Sequence, residues 1–587
     1  MIVIKKNLAL AVLLSLSFTV YGAKYTISGY VQDASSGEKL IGASVYDEIS
    51  GLGTSTNEYG YFTLTLNEAT VVLVVSYVGY NAYKDSLQLT KNLEKVIKLD
   101  QSALLDEVIV TSNNPKSIVE NSQMSMISIP VKEIKSIPMF MGEADIIKTI
   151  QLMPGVQSGT EGTSGIYVRG GGPDQNLFLL DGVPIYNASH LFGFFSVFNP
   201  DAISYLTLTK GGFPAHYGGR LSSVVDIRLK EGNMKEIKGS GSIGFLASKF
   251  MLEGPVIKDK MSFVVSARRT YFDKLMAPVI KGINRVAGSN SKQGYFFYDV
   301  NAKLNYIISN KDRVYLSAYT GKDKLYEKSG SKYIENDMSY DINSEYGLEW
   351  GNSLTALRWN HIFGSKLFSN TSLIYSNYRY NNFDYYSKDA QTYYTEDDTL
   401  DQGYKYDNYC GIEDYGGIID FDFRPSPNHS IRFGGKYLYH KFDPNTEAVE
   451  SFGQSDSIIN KNFNYKSVYA NEYYLYGEDN MQIGSKIRAN IGLHYSGFFV
   501  HGHAYHSFQP RLSGRYLLTK NLSLKIAFSR MDQNIHLLTN STIGLPNDLW
   551  VPATDRTPPQ SSYQSAVGMA YNLNNNWSFT LEGFYKT

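Results

Sequence analysis

The chain of 587 residues contains one cysteine, Cys410, and almost no net charge. A single cysteine excludes an internal disulfide and a metal site built from several cysteines, so we interpret Cys410 as a free thiol without a special role. A formal net charge of −1 gives no electrostatic reason to expect nucleic acid as a partner. After residue 23 there is no unbroken apolar run of helix-spanning length, so a membrane-integral form would have to be a β-barrel.

The residues in excess are tyrosine and phenylalanine, with 47 Tyr and 30 Phe against only 4 Trp. Tyrosine combines an apolar ring with a polar tip, which suits a membrane–water boundary. Many soluble β proteins are also rich in tyrosine, so the composition alone does not decide between the two.

Residues 1–22 are predicted to be a secretory signal peptide. Lys5 and Lys6 form a basic start, and Leu8 to Val20 form an apolar core that is short for a bilayer span. Small residues allow cleavage after Gly22, with Ala23 as a second option. An uncleaved N-terminal anchor is the alternative.

Residues 23–100 are predicted to form a small β-sandwich. Tyr25 to Val31 alternates with period two, and Val71 to Val78 is apolar except for Ser76, as in a strand buried on both faces. Residues 101–117 are interpreted as a linker. Its segment Leu104 to Thr111 is short and β-prone, so it could add a strand to a partner's sheet or be the last strand of the preceding domain.

Residues 118–231 are predicted to form a mixed α/β domain. Residues 143–153 have helical spacing, which Pro154-Gly155 ends. Residues 165–184 read as a strand, a glycine turn, a second strand and an Asp-Gly turn. A short helix is expected from Asp201, leading into a strand at 205–209. The glycines at 170–172 resemble a phosphate loop only superficially, because no Lys-Ser/Thr and no helix follow.

Residues 232–587 are predicted to form about 15 long antiparallel strands of a transmembrane β-barrel. Short polar turns recur at intervals that hold two strands and one longer connection, which is the asymmetry of an outer-membrane barrel. A large soluble β protein is the alternative. The short turns are expected near Asp259, Lys311, Ser365, Pro427, Ser485, Lys520 and Asn574.

With these parts in place, the chain resembles a TonB-dependent outer-membrane receptor with an N-terminal carboxypeptidase regulatory-like domain. The N-terminal resemblance rests on a spaced pattern that ends in Ser76 to Tyr80 and includes Gly29, Val31, Asp33, Leu40, Gly42, Ala43, Val45, Gly60 and Phe62. The plug resemblance rests on three blocks in order, which contain Arg169, Gly170, Gly171, Asp181, Gly182, Gly211, Gly212, Gly218, Gly219 and Arg220.

The resemblance implies a mainly β protein in the outer membrane of a Gram-negative-type cell, with the N-terminal domain in the periplasm. It implies a barrel of about 22 strands filled by a plug, so the sequence is expected to be C-terminally incomplete. It also implies no enzymatic activity and no cofactor. Asp106, Glu107, Val108, Ile109, Val110 and Thr111 are then interpreted as the TonB box, which would pair with the energy-transducing protein TonB.

The function implied is energised uptake of a scarce small-molecule, glycan or peptide substrate. Outer-membrane lipid and a surface lipoprotein are further expected partners. The alternative is a surface-binding or adhesion protein that uses the barrel only as an anchor, for which neither box nor plug is needed. A signalling receptor would need an additional N-terminal domain.

Individual residues carry narrower hypotheses. Arg169 and Arg220, if buried in the plug, need hydrogen-bonding or charged partners. The candidate partners are Asp174, Asp181 and Asp226. Such pairs would form either a breakable ionic lock between plug and barrel wall or static salt bridges that hold the fold. One of the adjacent Arg268 and Arg269 is expected to face the plug. His501 and His503, at alternate positions of a strand, could bind a metal, or could belong to a solvated outer loop.

Overall fold

The computed structural model describes residues 25–587 except 67–69, 103–114, 138–141, 160–164, 191–192, 288–289, 337, 393–398, 453–459, 465, 539–548 and 575–576. The predicted signal peptide therefore lies outside the described residues. Within these ranges, no helix is long and apolar enough to cross a membrane.

The N-terminal domain is a β-sandwich, as predicted. One sheet has the strand order β4-β1-β7 and the other β3-β2-β5-β6, and a shared apolar core that includes Ile27, Phe62 and Leu73 lies between them. The strands are β1 (Tyr25–Asp33), β2 (Ser44–Asp47), β3 (Gly53–Ser55), β4 (Tyr61–Leu66), β5 (Thr70–Ser76), β6 (Tyr83–Gln88) and β7 (Leu93–Leu99).

The second domain is a mixed α/β plug around a five-stranded sheet of order β12-β11-β16-β15-β8. Its helices are α1 (Pro115–Glu120), α2 (Val131–Ser136) and α3 (Ile146–Gln151). Its strands are β8 (Met126–Pro130), β9 (Val156–Ser158), β10 (Ile166–Val168), β11 (Asn176–Leu180), β12 (Val183–Ile185), β13 (Ser189–His190), β14 (Phe195–Ser196), β15 (Ile203–Thr209) and β16 (Ser223–Leu229).

Local signals explain the plug's elements. Helix α3 is shorter than the predicted 143–153 because Asp145 caps it, accepting a hydrogen bond from the Lys148 amide at 2.9 Å. A 3₁₀ turn at Pro200–Ala202 leads into β15, as expected. Strands β11 and β16 are buried along their whole length, because the plug sheet has the barrel wall around it.

The third domain is an antiparallel sheet with 15 strands in sequential order, which confirms the predicted number, and β26 pairs beside β25. In the described residues the first strand, β17, and the last, β34, are not paired with each other. The strands on this path begin with β17 (Lys238–Ile243), β18 (Ala247–Ile257), β19 (Met261–Thr270), β20 (Lys292–Ile307), β21 (Asp312–Glu335), β22 (Met338–Gly364), β23 (Leu367–Thr392) and β24 (Thr399–Ser426). They continue with β25 (His429–Phe452), β27 (Val468–Ile483), β28 (Ile487–Val500), β29 (His503–Thr519), β30 (Leu522–Gln533), β33 (Gln560–Asn572) and β34 (Ser578–Lys586), and β26 (Asn460–Asn464) lies off the path.

All seven predicted short turns fall between consecutive strands of this sheet. The opposite side differs from expectation, because much of the sequence assigned to long loops continues as strand, up to the 28 residues of β24. The remaining connections there include helix α4 (Phe272–Ala287) and a separate hairpin of β31 (Ile535–Leu538) and β32 (Leu549–Pro552).

The outer face of the sheet defines the membrane level. Near the short turns, outward residues are apolar and exposed, such as Leu373, Leu475 and Ile526 at 59–63% exposure. Farther along the strands lies a row of outward aromatic pairs, including Tyr375–Tyr415 (5.1 Å between ring centres), Tyr437–Tyr473 (6.1 Å) and Tyr495–Phe508 (5.1 Å). An apolar band bordered by aromatics is the lipid-facing surface of an outer-membrane barrel. This border accounts for part of the tyrosine excess.

Candidate functional site: the interface between plug and barrel wall

The Asp-Gly turn at Asp181 and Gly182 joins β11 to β12 and anchors the plug to the barrel wall. Asp181 and Gly182 have φ of 49° and 82°, the left-handed pair that a tight hairpin turn requires. Asp181 is 1% exposed, and its carboxylate lies 3.0 Å from the Lys303 ammonium on β20. Its backbone carbonyl accepts a hydrogen bond from Arg358 on β22. One plug turn thus contacts two wall strands through charged groups.

The electrostatics of this turn favour the charged form of Asp181. Burial raises the pKa of its carboxyl, but Lys303 and Arg358 lower it more, so the net shift is downward. The carboxylate also accepts from the Leu229 amide at 3.1 Å, which ties the turn to β16.

Arg169 crosses from plug to wall, but with a partner that the sequence did not suggest. Its guanidinium lies 2.5 Å from Glu582 on β34, bonds Ser125 at 2.5 Å and sits 4.6 Å from the Phe584 ring centre. The candidate partner Asp181 is instead paired with Lys303. The geometry fits a contact between plug and wall, while the predicted acid partner within the plug is wrong.

Arg220 also lacks the predicted carboxylate partner. It donates to the Gly219 carbonyl at 2.8 Å and stacks over Trp550, 5.3 Å from the ring centre. Asp226 pairs with Arg228 at 2.8 Å, and Asp174 accepts from Gln533 of β30 at 3.2 Å. Neither carboxylate is thus left for Arg220, because Asp226 pairs with Arg228 two positions away and Asp174 contacts the barrel wall.

The motif glycines mark close approaches. A side chain on Gly171 would lie 2.6 Å from Gln175, and one on Gly219 would lie 2.5 Å from the Tyr474 hydroxyl of β27. His494 of the barrel wall fills the space beside Gly218, and the Arg169 guanidinium fills the space beside Gly211. A Cβ on Gly212 would lie 3.2 Å from Ala527 of β30. Four of these glycines therefore let the plug backbone lie against the wall or against Arg169.

A second anchor, missed by the sequence analysis, is His190 on β13. Its ring lies 2.8 Å from Asp299 and 2.5 Å from Asp323, both on the wall, and stacks on Phe297. Arg268 completes the cluster, bonding Asp299 and donating to the plug carbonyl of Ser196 at 2.7 Å. Arg268 is buried and the Arg269 side chain is 44% exposed, which confirms that one of this pair faces the plug.

The His190 anchor predicts a pH dependence of plug attachment. Burial lowers the pKa of the imidazole, but Asp299 and Asp323 raise it more, from 6.5 to about 9. Because the pKa of His190 is raised while the plug is attached to the wall, protonated His190 stabilises plug attachment. This stabilisation is complete below pH 6.5 and is lost as the pH rises through 9. At roughly 1.4 kcal/mol per pH unit, it is on the order of 3 kcal/mol.

We expect the urea midpoint for plug release to fall between pH 7 and 10, and His190→Gln to flatten this dependence. Tryptophan fluorescence is a suitable readout because Trp550 meets the plug residue Tyr186 edge to face, with 5.1 Å between ring centres. An unchanged pH profile in the variant would show that His190 does not anchor the plug.

The N-terminal domain docks on the plug and on the short-turn ends of the wall. Glu58 lies 2.5 Å from Arg228 of the plug and 2.8 Å from Arg432 of β25. Burial raises the pKa of Glu58, but Arg432 and Arg228 lower it far more, so it is held as a carboxylate. Beside it, Tyr59 packs under Arg358, and a cavity of about 90 Å³ lies between these groups, the plug and the wall. No local sequence signal marked Glu58.

Replacing Glu58 with glutamine should weaken this docking by about 1–3 kcal/mol, because Arg228 and Arg432 lose a shared counter-charge and keep only Asp226 at 2.8 Å and Asp422 at 3.8 Å. Asn57 bonds Asp422 of the wall at 2.7 Å, so cysteines at these two positions report docking through the yield of a short bismaleimide cross-link. Glu48→Gln is the matched control, since the Glu48 side chain is 52% exposed. Equal yields in both variants would show that Glu58 does not hold the domain.

The predicted histidine metal site is not supported. His501 and Gly502 form a two-residue turn between β28 and β29, with φ of 50° and 79°, so His501 is not on a strand face. Both His501 and His503 are exposed. Among the described residues, no group of three or more His, Cys, Asp or Glu side chains is arranged to hold a metal ion. The alternate-position argument is therefore wrong, because the hairpin turns where a strand was expected.

The predicted TonB box, Asp106 to Thr111, lies outside the described residues. The structure resumes just after it at α1, and residues 118–124 are tied to the wall. Arg515 donates to the Glu120 carbonyl at 3.1 Å, and Met124 packs against Ala527 and Ala566.

Comparison with known proteins agrees with this geometry. Residues 27–110 match a CarboxypepD_reg-like domain, and residues 119–225 match a TonB-dependent Receptor Plug Domain. The first match includes most of the segment 106–111, so it leaves both interpretations of that segment open.

Curated relatives are similar over part of their length. The TonB-dependent receptor SusC of Bacteroides thetaiotaomicron is 27% identical over 250 residues, which are 39% of this chain and 24% of that protein. The TonB-dependent receptor P26 of Formosa agariphila is 29% identical over 227 residues, 37% of this chain and 21% of that protein. The chain thus matches about a quarter of the length of these relatives.

Solved structures share the fold. The ferric-catecholate import receptor Fiu of E. coli superposes with a TM-score of 0.53 at 13% identity, covering 81% of this chain and 75% of that one. The ferric enterobactin receptor PfeA of Pseudomonas aeruginosa gives 0.52 at 16% identity, covering 80% and 72%.

The fold and the matched domains define a plugged outer-membrane β-barrel with a periplasmic N-terminal domain. These matches make the chain similar to receptors of the TonB-dependent class. The matched proteins are receptors rather than enzymes, in agreement with the prediction of no enzymatic activity.

Proposed function

We propose that this chain mediates TonB-coupled active uptake of a scarce substrate, with the plug as a removable gate. The observation that carries the proposal is the chemistry of the interface between plug and wall. Its anchors are ion pairs and hydrogen bonds, such as Asp181–Lys303 and Arg169–Glu582, together with the His190 cluster. Water can replace these polar contacts when the plug detaches, whereas detachment also exposes apolar contacts between plug and wall, such as those of Ile374 and Leu438, so the gate needs an energy input to open.

The position of the proposed TonB box suggests how a pull would act. Force applied at Asp106 to Thr111 reaches residues 118–124 first, which are tied to the wall by Arg515 and by Lys525, whose ammonium donates to the Gln123 carbonyl at 3.4 Å. It then reaches β8, the edge strand of the plug sheet, which pairs only with β15 among the described strands. An edge strand can separate one residue pair at a time, from Met126 and Thr209 onward, before the central strands are disturbed.

The substrate class is proposed more broadly, as a small molecule, glycan or peptide. The strand extensions beyond the aromatic border are the surface that such a substrate meets first, and loops and extensions of this kind carry specificity in barrels. A surface lipoprotein is a proposed partner on the same side. The alternative, adhesion through a barrel used as an anchor, leaves the polar plug interface without a role.

A depletion experiment separates the two functions. Cells that express the chain are incubated with a defined mixture of oligosaccharides, oligopeptides and iron chelates, and the medium and the cell interior are analysed by mass spectrometry. We expect one class to accumulate inside energised cells and not inside cells treated with a protonophore. Binding to the surface without accumulation in either case would favour adhesion, and accumulation insensitive to the protonophore would indicate a passive channel.

A further inference from the structure

Helix α4 lies at the outer boundary of the apolar band of the barrel. It follows β19, which has only 10 residues and starts at a short turn. A membrane strand needs about 9–11 residues to cross the hydrocarbon, so β19 ends where the hydrocarbon ends. The next strand but one in the sheet, β21, runs for 24 residues and rises well beyond that level. The helix therefore begins at the height of the lipid headgroups, beside the wall rather than above it.

The helix has three distinct faces. Asp273, Met276, Ile280 and Asn284 form the least exposed face, and the helix contacts β20. An apolar stripe is exposed instead of covered, and at 100° per residue its members fall within about 80° of one another. The stripe consists of Phe272 (40% exposed), Leu275 (40%), Val279 (51%), Ile283 (62%) and Val286 (92%).

The cations of the helix lie away from this stripe. Lys274, Lys281 and Arg285 project on the third face, and all three are exposed. Around the helix axis, the side that faces the wall lies between the apolar stripe and the cations. The apolar stripe and the cations thus flank the wall-facing side on opposite sides, so one of them faces along the wall towards the membrane and the other faces away from it.

We propose that α4 is an interfacial membrane helix whose apolar stripe inserts into the acyl chains of the outer leaflet. Its cations then meet the anionic phosphate groups of the lipid headgroups. Two observations select lipid as the occupant. The stripe continues the lipid-facing surface of the adjacent strands, where Phe250 and Val265 are 51% and 36% exposed. The charge pattern, apolar on one face and cationic on another, is that of helices that lie in the interface plane.

Quenching by brominated lipid tests the proposal. Val279 and Ile283 are replaced one at a time by cysteine in the full chain, in a Cys410→Ser background, and the new cysteine is labelled with bimane. The labelled protein is then reconstituted in phosphatidylcholine vesicles whose acyl chains either carry bromine or do not. Lys281→Cys is the matched control on the same helix, and Val265→Cys is the positive control on a lipid-facing strand. Since Cys410 is buried, the native background serves if Cys410→Ser folds poorly.

We expect Val279→Cys and Ile283→Cys to lose at least half of their fluorescence in brominated vesicles, as Val265→Cys does, and Lys281→Cys to change little. The proposal would be overturned if bimane at Val279 and Ile283 were quenched no more strongly than at Lys281 while bimane at Val265 was quenched. Protection of Val279 from both brominated lipid and aqueous acrylamide would also overturn it, because another protein surface would then cover the stripe.

Discussion

Deleting Asp106 to Thr111 should reduce uptake to the level of protonophore-treated cells and leave substrate binding at the cell surface unchanged. In the proposed mechanism this segment offers a strand to a partner's sheet, so its removal would break the mechanical connection and no part of the barrel wall. Main-chain hydrogen bonds along a few residues supply the affinity of such pairing.

The control is a replacement of the same six residues by a Gly-Ser sequence of equal length, which keeps the spacing to α1. Both variants should lose capture of the purified periplasmic domain of TonB. Normal uptake in the deletion variant would rule out this segment as the point of coupling.

Asp181→Asn should loosen the plug by about 3–5 kcal/mol, because it leaves the buried Lys303 ammonium without its counter-charge. Asparagine tolerates the left-handed backbone at φ 49°, so the change isolates the charge from backbone strain. We expect a lower urea midpoint for plug release, followed through Trp550 fluorescence.

The double variant Asp181→Asn/Lys303→Met separates pairing from packing. With both charges removed, the midpoint should recover part of the loss, since the buried unpaired cation is the main cost. If the single variant matches the parent, Asp181 does not hold the plug to the wall.

The parts of the fold that the sequence predicted are those with local signals. Each short turn is marked by polar and turn-forming residues next to alternating strands, so all seven turns and the strand number agree with the structure. The outer ends were mispredicted because polar, tyrosine-rich segments read as loops. In the structure they pair with one another, as Tyr385 and Tyr386 of β23 pair with residues of β24.

For the interface between plug and wall, the sequence predicted the backbone turns but not the partners of the side chains. The glycine and Asp-Gly turns of the plug are encoded by residues that are adjacent in sequence. The partners of their side chains are not, since Arg169 meets Glu582 across 413 positions and His190 meets Asp299 across 109. Such pairs depend on how the plug is rotated inside the barrel, which no local pattern contains. The docking of Glu58 was missed for the same reason.

The central claim is that the plug detaches from the barrel wall when the cell is energised. Ser196 tests it directly: the residue is 1% exposed, and its carbonyl accepts a hydrogen bond from the wall residue Arg268. In a Ser196→Cys/Cys410→Ser chain, we predict that a membrane-impermeant maleimide labels position 196 in energised cells that contain TonB. Labelling should disappear with a protonophore and in the Asp106–Thr111 deletion. Labelling that is absent in energised cells, or equal with and without the protonophore, would contradict the account.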